Sequence, residues 1–284
     1  MSFTVRLCAL YQLSGRIGVR CGLPLALLAL GAAGGCGGAA EPTPYDSTVA
    51  ELSAGRNLTA EFTDCVEFGG VGVVPLANIA GLVPAQFNAA IGPPGLAIAV
   101  AHIAKCENIR VGSGAGHPGI FGHFGVAVAP PAGSANHDNY LFAHVTDHVG
   151  LFLGLKLAGL ESTYLNPRLS FETTGSGATS TLAAAVQRPA ELAWTLAGPL
   201  PLPDPAQAPA TNSINYWTRT DRIGNAALEY DIKGLRQAPA PGVVLTAQGA
   251  ELQAIIGGTE LTFPFFAAGE SFTATTLTFK RHVF

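Results

Sequence analysis

Glycine and proline clusters cut residues 56–281 into short runs in which polar and apolar residues alternate, and this most constrains the fold. Successive strand side chains point to opposite faces, so a period of two marks a strand with one buried face. The runs read as strands are 56–68 (RNLTAEFTDCVEF), 71–75, 95–103 (GLAIAVAHI), 107–112, 121–129 (FGHFGVAVA), 139–145 (NYLFAHV), 169–174, 180–187, 190–196, 215–220, 226–232, 243–247 and 272–281. Merged where they adjoin, they make about ten strands, and many strands at even spacing predict a closed or nearly closed sheet. Residues 199–210 (PLPLPDPAQAPA) read as a long loop, because proline lacks the amide donor that a central strand needs.

The period changes once, at 149–160 (VGLFLGLKLAGL). This stretch is long enough for three helical turns and is apolar almost all round, with Lys156 as its one charge, so it predicts a helix buried on most sides. Thr146 or Asp147 is placed to cap its start and Gly159 to end it. Residues 250–256 (AELQAII) read as a short second helix, and 76–82 as a helical turn before Pro84. The fold class is therefore mainly β: a closed or partly open antiparallel barrel with one principal buried helix.

Only 12% of the residues are charged and 48% are hydrophobic, about half the usual charged share. With no basic stripe and a net charge of −4, nucleic acid is excluded as a partner. No phosphate-binding loop, dinucleotide fingerprint or CxxC pair occurs, so no cofactor is implied.

Residues 1–35 read as a targeting segment. Arg16 and Arg20 precede an apolar run of about 14 residues, too short to span a bilayer comfortably. Cys36 follows in AAGGCGGAAEP, which resembles the bacterial lipoprotein signal, although Ala33 stands where leucine is usual. The resemblance implies lipidation at Cys36, a flexible tether over 36–55, one barrel domain over 56–284, and a place in the cell envelope as an exported protein. An ordinary secretory cleavage nearby is the alternative. Cys65 and Cys106 remain as an even pair in a chain sent to an oxidising compartment, so a disulfide between them is expected, against two buried thiols.

Four stretches resemble the acetoacetate decarboxylase-like family: PLANIAGLVPAQF (75–87), GIFGHFGVAVAPP (119–131), NYLFAHVTDHVGLFLGLKLAGLE (139–161) and AELQAIIGG (250–258). The resemblance implies a cone-shaped β-barrel around an apolar cavity. In the decarboxylases the helix-ending glycine is followed by an aromatic, a proline and two lysines, one forming a Schiff base with the keto acid. Here Gly159 is followed by Leu160, Glu161, Ser162, Thr163 and Tyr164, and a glutamate of the preceding strand is replaced near His123. The family's decarboxylation is therefore not expected, and the chain reads as a divergent member that kept the cavity.

His144 and His148 stand four apart with Asp147 between them. On one continuous helix such a pair would share a face for a metal, but the helix starts near Asp147 and no third ligand is close in sequence, whereas zinc usually takes three or four. An acid–base histidine and a capped helix start with hydrogen-bonded histidines are the other readings, and the last is favoured. His123 alternates with apolar residues and is the candidate ligand contact, with Phe121, Tyr140 and Phe142 as cavity lining; His102 reads as a satisfied core or rim residue. The expectation is a lipid-anchored barrel binding a small apolar or keto-acid-like molecule. The alternatives are a lyase or isomerase using His123 or His148 as acid–base, and a structural surface protein whose barrel is filled.

Overall fold

A computed structural model describes residues 58–131, 133–187, 190–220 and 224–282. The targeting segment, Cys36 and the whole of the tether lie outside these residues. Thirteen strands and two α-helices are present among them.

Seven strands form the closed barrel. β1 (Thr59–Pro75) lies between β2 (Leu96–Val111) and β13 (Phe266–His282), and β3 (His117–Ala127) pairs with β2. β4 (His137–Thr146) pairs with β3 on one side and β9 (Ala210–Thr220) on the other, and β10 (Gly224–Pro239) joins β9 to β13. Closure leaves no long edge among these strands. One seam departs from the antiparallel expectation: β4 and β9 run parallel. A parallel pair needs a crossover, and residues 147–209 supply it.

That crossover carries α1 (Val149–Ala158), β5 (Thr163–Leu165), β6 (Ser170–Thr174), β7 (Thr181–Val186) and β8 (Trp194–Pro199). β5 extends the barrel sheet beside β4. β6–β8 form a second sheet with β11 (Val244–Ala247) and β12 (Glu260–Thr262), in the order β12-β11-β8-β7-β6. This second sheet, which sequence alternation did not separate from the barrel, covers the outer face of β1–β4. Ala97, Ala99, Ala101, Ile103, Phe124 and Val126 pack there against Phe171, Leu182, Trp194 and Leu196. α2 (Ala250–Ile256) joins the same layer through Leu252, Ile255 and Ile256.

α1 plugs one mouth of the barrel. Leu151, Leu155 and Ala158 pack on Leu58, Ala60, Phe62 and Val111. Gly154 allows this approach, since a Cβ there would stand 2.9 Å from Leu58 Cδ1. Gly159 ends the helix in the left-handed region at φ 100°. The helix is less buried than its composition suggests: Val149 and Leu157 are 39% and 53% exposed. The cap also differs. His148 Nδ1 accepts from the Leu151 amide at 3.0 Å. Asp147 Oδ1 accepts from the Ile120 amide and Thr146 Oγ1 donates to the Ile120 carbonyl, so both fasten β4 to β3 instead.

Cys65 and Cys106 sit directly opposite each other on β1 and β2 and are joined by a disulfide. The alternation slips beside it. Asp64 has φ 52°, and Phe62, Cys65, Cys106 and Ile109 all face the barrel interior. Because the link closes a loop with a sequence separation of 41, reduction of the oxidised protein is expected to cost about 3–4 kcal/mol. Guanidinium unfolding with and without reductant checks this, and equal midpoints would contradict it.

Candidate functional site

The barrel's inward face carries a row of three histidines. β2, β3 and β4 pair with His102 opposite His123 and His123 opposite His144. Side-chain alternation therefore stacks them across three strands. His123 is 2% exposed and lies 4.8 Å from the His144 ring and 4.4 Å from Tyr216, centroid to centroid. Its Nε2 is 3.4 Å from the Tyr230 hydroxyl. Burial, and then the neighbouring His144 and His102, hold its pKa well below the ordinary histidine value. Burial pulls His144 down to about 3, and neither of its ring nitrogens has a protein partner. Both are neutral imidazoles packed among Phe62, Phe121, Tyr216 and Tyr230.

His123 and Phe121 line a small cavity with Glu67, His102, Tyr216 and Tyr230. Its volume is about 20 Å³, room for about one water. The middle of the barrel is thus nearly filled by side chains.

The other mouth opens into a cleft of about 840 Å³, within the usual range for small-molecule sites. It is lined by the ends of β1, β3 and β10, the starts of β2, β4, β9 and β13, and nearby loop residues. Val71, Ile98, Val100, Ile214, Leu235 and Phe266 make its apolar wall. Asp138 is held on its polar side by Asn215 Nδ2 at 2.9 Å and Trp217 Nε1 at 2.7 Å. Among the described residues no lysine or arginine lines either cavity.

His102 lines both cavities and marks the cleft floor. Its Nδ1 is hydrogen-bonded to Glu67 Oε1. Glu67 faces Glu270 directly across β1 and β13, and Gln237, opposite Glu270 on β10, donates to Glu270 Oε1 at 2.6 Å. Both carboxylates are 6% exposed. Burial, and then the charge of Glu67, push Glu270 up to about 7, against the smaller opposing pulls of His102 and Gln237. Burial lowers His102, but the charge and hydrogen bond of Glu67, with Glu270 beyond, outweigh it and leave the imidazole raised.

The floor was missed in sequence because its parts lie on four strands. The one signal was a glutamate or histidine standing at an inward position of an apolar run: Glu67 before Gly69, His102 in GLAIAVAHI, Glu270 after Gly269. The other candidates lie elsewhere. Tyr140 and Phe142 belong with the layer on the outer face, Tyr140 5.5 Å from the Phe87 ring, and line neither cavity. Asn139, one residue away, faces the cleft instead, since a shift of one in a strand changes the face. His148 is spent on the helix cap. Lys156 is exposed and donates to the Glu161 carbonyl at 2.6 Å. Among the described residues no three His, Cys, Asp or Glu side chains converge as a metal site.

The two raised groups contribute to the pH dependence of folding with one sign. Glu270 keeps its proton to about 7 when folded but loses it near 4.5 when unfolded, so the folded state binds more protons in that window and stability falls as pH rises through it. His102, raised above 6.5, adds a further fall above that pH. His144, held down to about 3, and His123 act in the opposite sense and add stability as pH rises toward 6.5, so the Glu270 contribution is read as the difference between the wild type and Glu270→Gln, on the order of 3 kcal/mol between pH 4.5 and 8. Chemical denaturation across that range measures both slopes, and equal slopes in the two proteins would refute the assignment.

No protein-family model and no curated protein sequence matches the chain. Solved structures do. An acetoacetate decarboxylase from Legionella pneumophila superposes with a TM-score of 0.52 at 8% identity, covering 79% of this chain and 87% of that one. A second acetoacetate decarboxylase reaches 0.49 at 12% identity, with 78% and 88% covered. The enduracididine biosynthesis enzyme MppR, with HEPES buffer bound, also reaches 0.49, at 9% identity, with 78% and 85% covered. With its seven-strand barrel closed over an interior cavity, the chain has the acetoacetate decarboxylase-like fold.

Proposed function

We propose that the chain is an exported cell-envelope protein, tethered through a lipid on Cys36, that binds a small, largely apolar and uncharged molecule in the open mouth of its barrel. The observation that carries the reading is the 840 Å³ cleft, apolar along its wall and polar at its floor. A fold of this kind is a ligand-binding or enzyme scaffold. The chemistry of the floor favours one of the two ligand classes foreseen. A keto acid needs a cation for its carboxylate, and among the described residues no lysine or arginine lines the cleft; the Glu270 carboxylate would repel it, and His102 Nδ1 is committed to Glu67. A neutral ligand with one hydrogen-bonding end avoids that repulsion.

Export is supported by the apolar run after Arg20 and by the Cys65–Cys106 disulfide, and lipidation by Cys36 among small residues. The tether over 36–55 would let the barrel stand clear of the membrane surface.

Displacement of the neutral fluorophore N-phenyl-1-naphthylamine tests the binding site. Cyclohexanone should displace it at pH 8 and pyruvate should not. Val100→Phe, which fills the cleft, should weaken fluorophore binding at least ~10-fold, a loss of about 1.4 kcal/mol. Equal affinity of the two proteins would overturn the site. For the anchor, Cys36→Ala should remove metabolic labelling by palmitate and move the protein from the membrane to the soluble fraction; unchanged labelling rejects Cys36 as the lipid site.

A further inference from the structure

We infer that Glu270 and His102 are an acid–base pair at the cleft floor that moves a proton at the carbon beside the carbonyl of a neutral ketone or aldehyde. This rests on the cleft being the ligand site.

The geometry comes first. The His102 ring and the Glu270 carboxyl meet over Gly69. A Cβ on Gly69 would stand 3.5 Å from His102 Cε1, 3.5 Å from the Phe266 ring and 3.6 Å from the Glu270 carboxyl carbon, so the phenyl ring walls the same space. The missing side chain leaves the two groups facing one small space, and both line the cleft. Glu67 occupies His102 Nδ1, which leaves Nε2 as the ring nitrogen free to donate to a ligand. This is the arrangement by which a carboxylate fixes the tautomer and orientation of a working imidazole. Gln237 holds one Glu270 oxygen and leaves the other available.

The cost of the arrangement argues the same way. Two carboxylates directly opposite on neighbouring strands destabilise a sheet, and burial adds to that. The groups facing Glu270 are Glu67 from β1, His102 from β2 and Gln237 from β10, with the Tyr216 phenol on β9 beyond them, held neutral because burial and then Glu67, Tyr230 and Glu270 raise it. Together they leave Glu270 titrating near neutral pH beside an imidazole whose own pKa is raised by Glu67 and Glu270. A group that gains and loses its proton near the working pH suits general acid–base catalysis.

The step balances without a co-reactant. Ionised Glu270 takes the α-proton, and the C–H pair becomes the C=C bond of an enol. The carbonyl π pair moves to oxygen, which takes the Nε2 proton of His102. Neutral His102 stays hydrogen-bonded to Glu67 through Nδ1. Return of the proton from Glu270 to carbon, and of the hydroxyl proton to Nε2, gives back a ketone with its α-hydrogen exchanged or shifted. No electron is gained or lost.

The test is proton–deuterium exchange at the α-carbons of cyclohexanone in D₂O, followed by NMR, with saturation-transfer NMR on the same samples reporting binding. The wild type should bind and exchange, with a rate that rises as Glu270 ionises near 7 and falls as His102 deprotonates. Glu270→Gln should lower the rate ~10²–10⁴-fold with binding retained. His102→Gln should abolish the alkaline fall. Gln237→Met should move the acid limb to higher pH, because it removes a donor that favours the ionised carboxylate; a merely structural residue would leave that limb in place. Binding without exchange faster than in Glu270→Gln overturns the acid–base pair and leaves the binding site standing. Absence of both binding and exchange overturns both.

Discussion

Two carboxylates face each other across neighbouring strands of the barrel wall, and the polar part of the structure is arranged around that conflict. Glu67 and Glu270 are paired in register on β1 and β13 and are largely buried in the closed sheet, where water screens them little. They are tolerated because His102 supplies a positive partner from β2 and Gln237 a donor from β10. Four strands must therefore hold their register together for the floor to exist. The disulfide lies two residues from Glu67 on the same inward face and fixes β1 against β2.

Along its axis the barrel is graded. α1 closes one mouth, aromatic rings and two neutral histidines fill the middle, and the other mouth stays open. The grading separates packing from chemistry. His123 and His144 lie so deep that burial strips them of charge. His102, one strand over, reaches the cleft, and the Glu67 carboxylate raises its pKa against the pull of burial. Identical side chains thus differ in role by depth and by partner.

Much of the barrel was legible because period-two alternation is a local signal. β3, β4 and α2 fall close to where their residue patterns place them, and Gly159 ends α1 as a glycine in the left-handed region should. Two neighbouring runs merged into the single 17-residue β1, because its glycines interrupt the side chains without interrupting the ladder. The second sheet and the parallel seam were not legible: which strands become neighbours depends on long-range burial, and β5 and β12 are only three residues each. The floor was hidden for the same reason. Glu67, His102, Gln237 and Glu270 are far apart in sequence and become a group only through register. Tyr140 shows how narrow the margin is, since its neighbour Asn139 has the cleft face.

The plugged mouth has a consequence for selectivity. A cavity open at both ends measures the whole length of what passes through it. Here α1 and the aromatic layer make a blind end, and the reading groups sit at that end. A ligand bound there, as proposed, would enter head first, be judged by its head, and could leave a tail outside, past the exposed Ile91. Such a barrel would sort by functional group and be indifferent to chain length, and whatever it released would have to back out through the door it came in by.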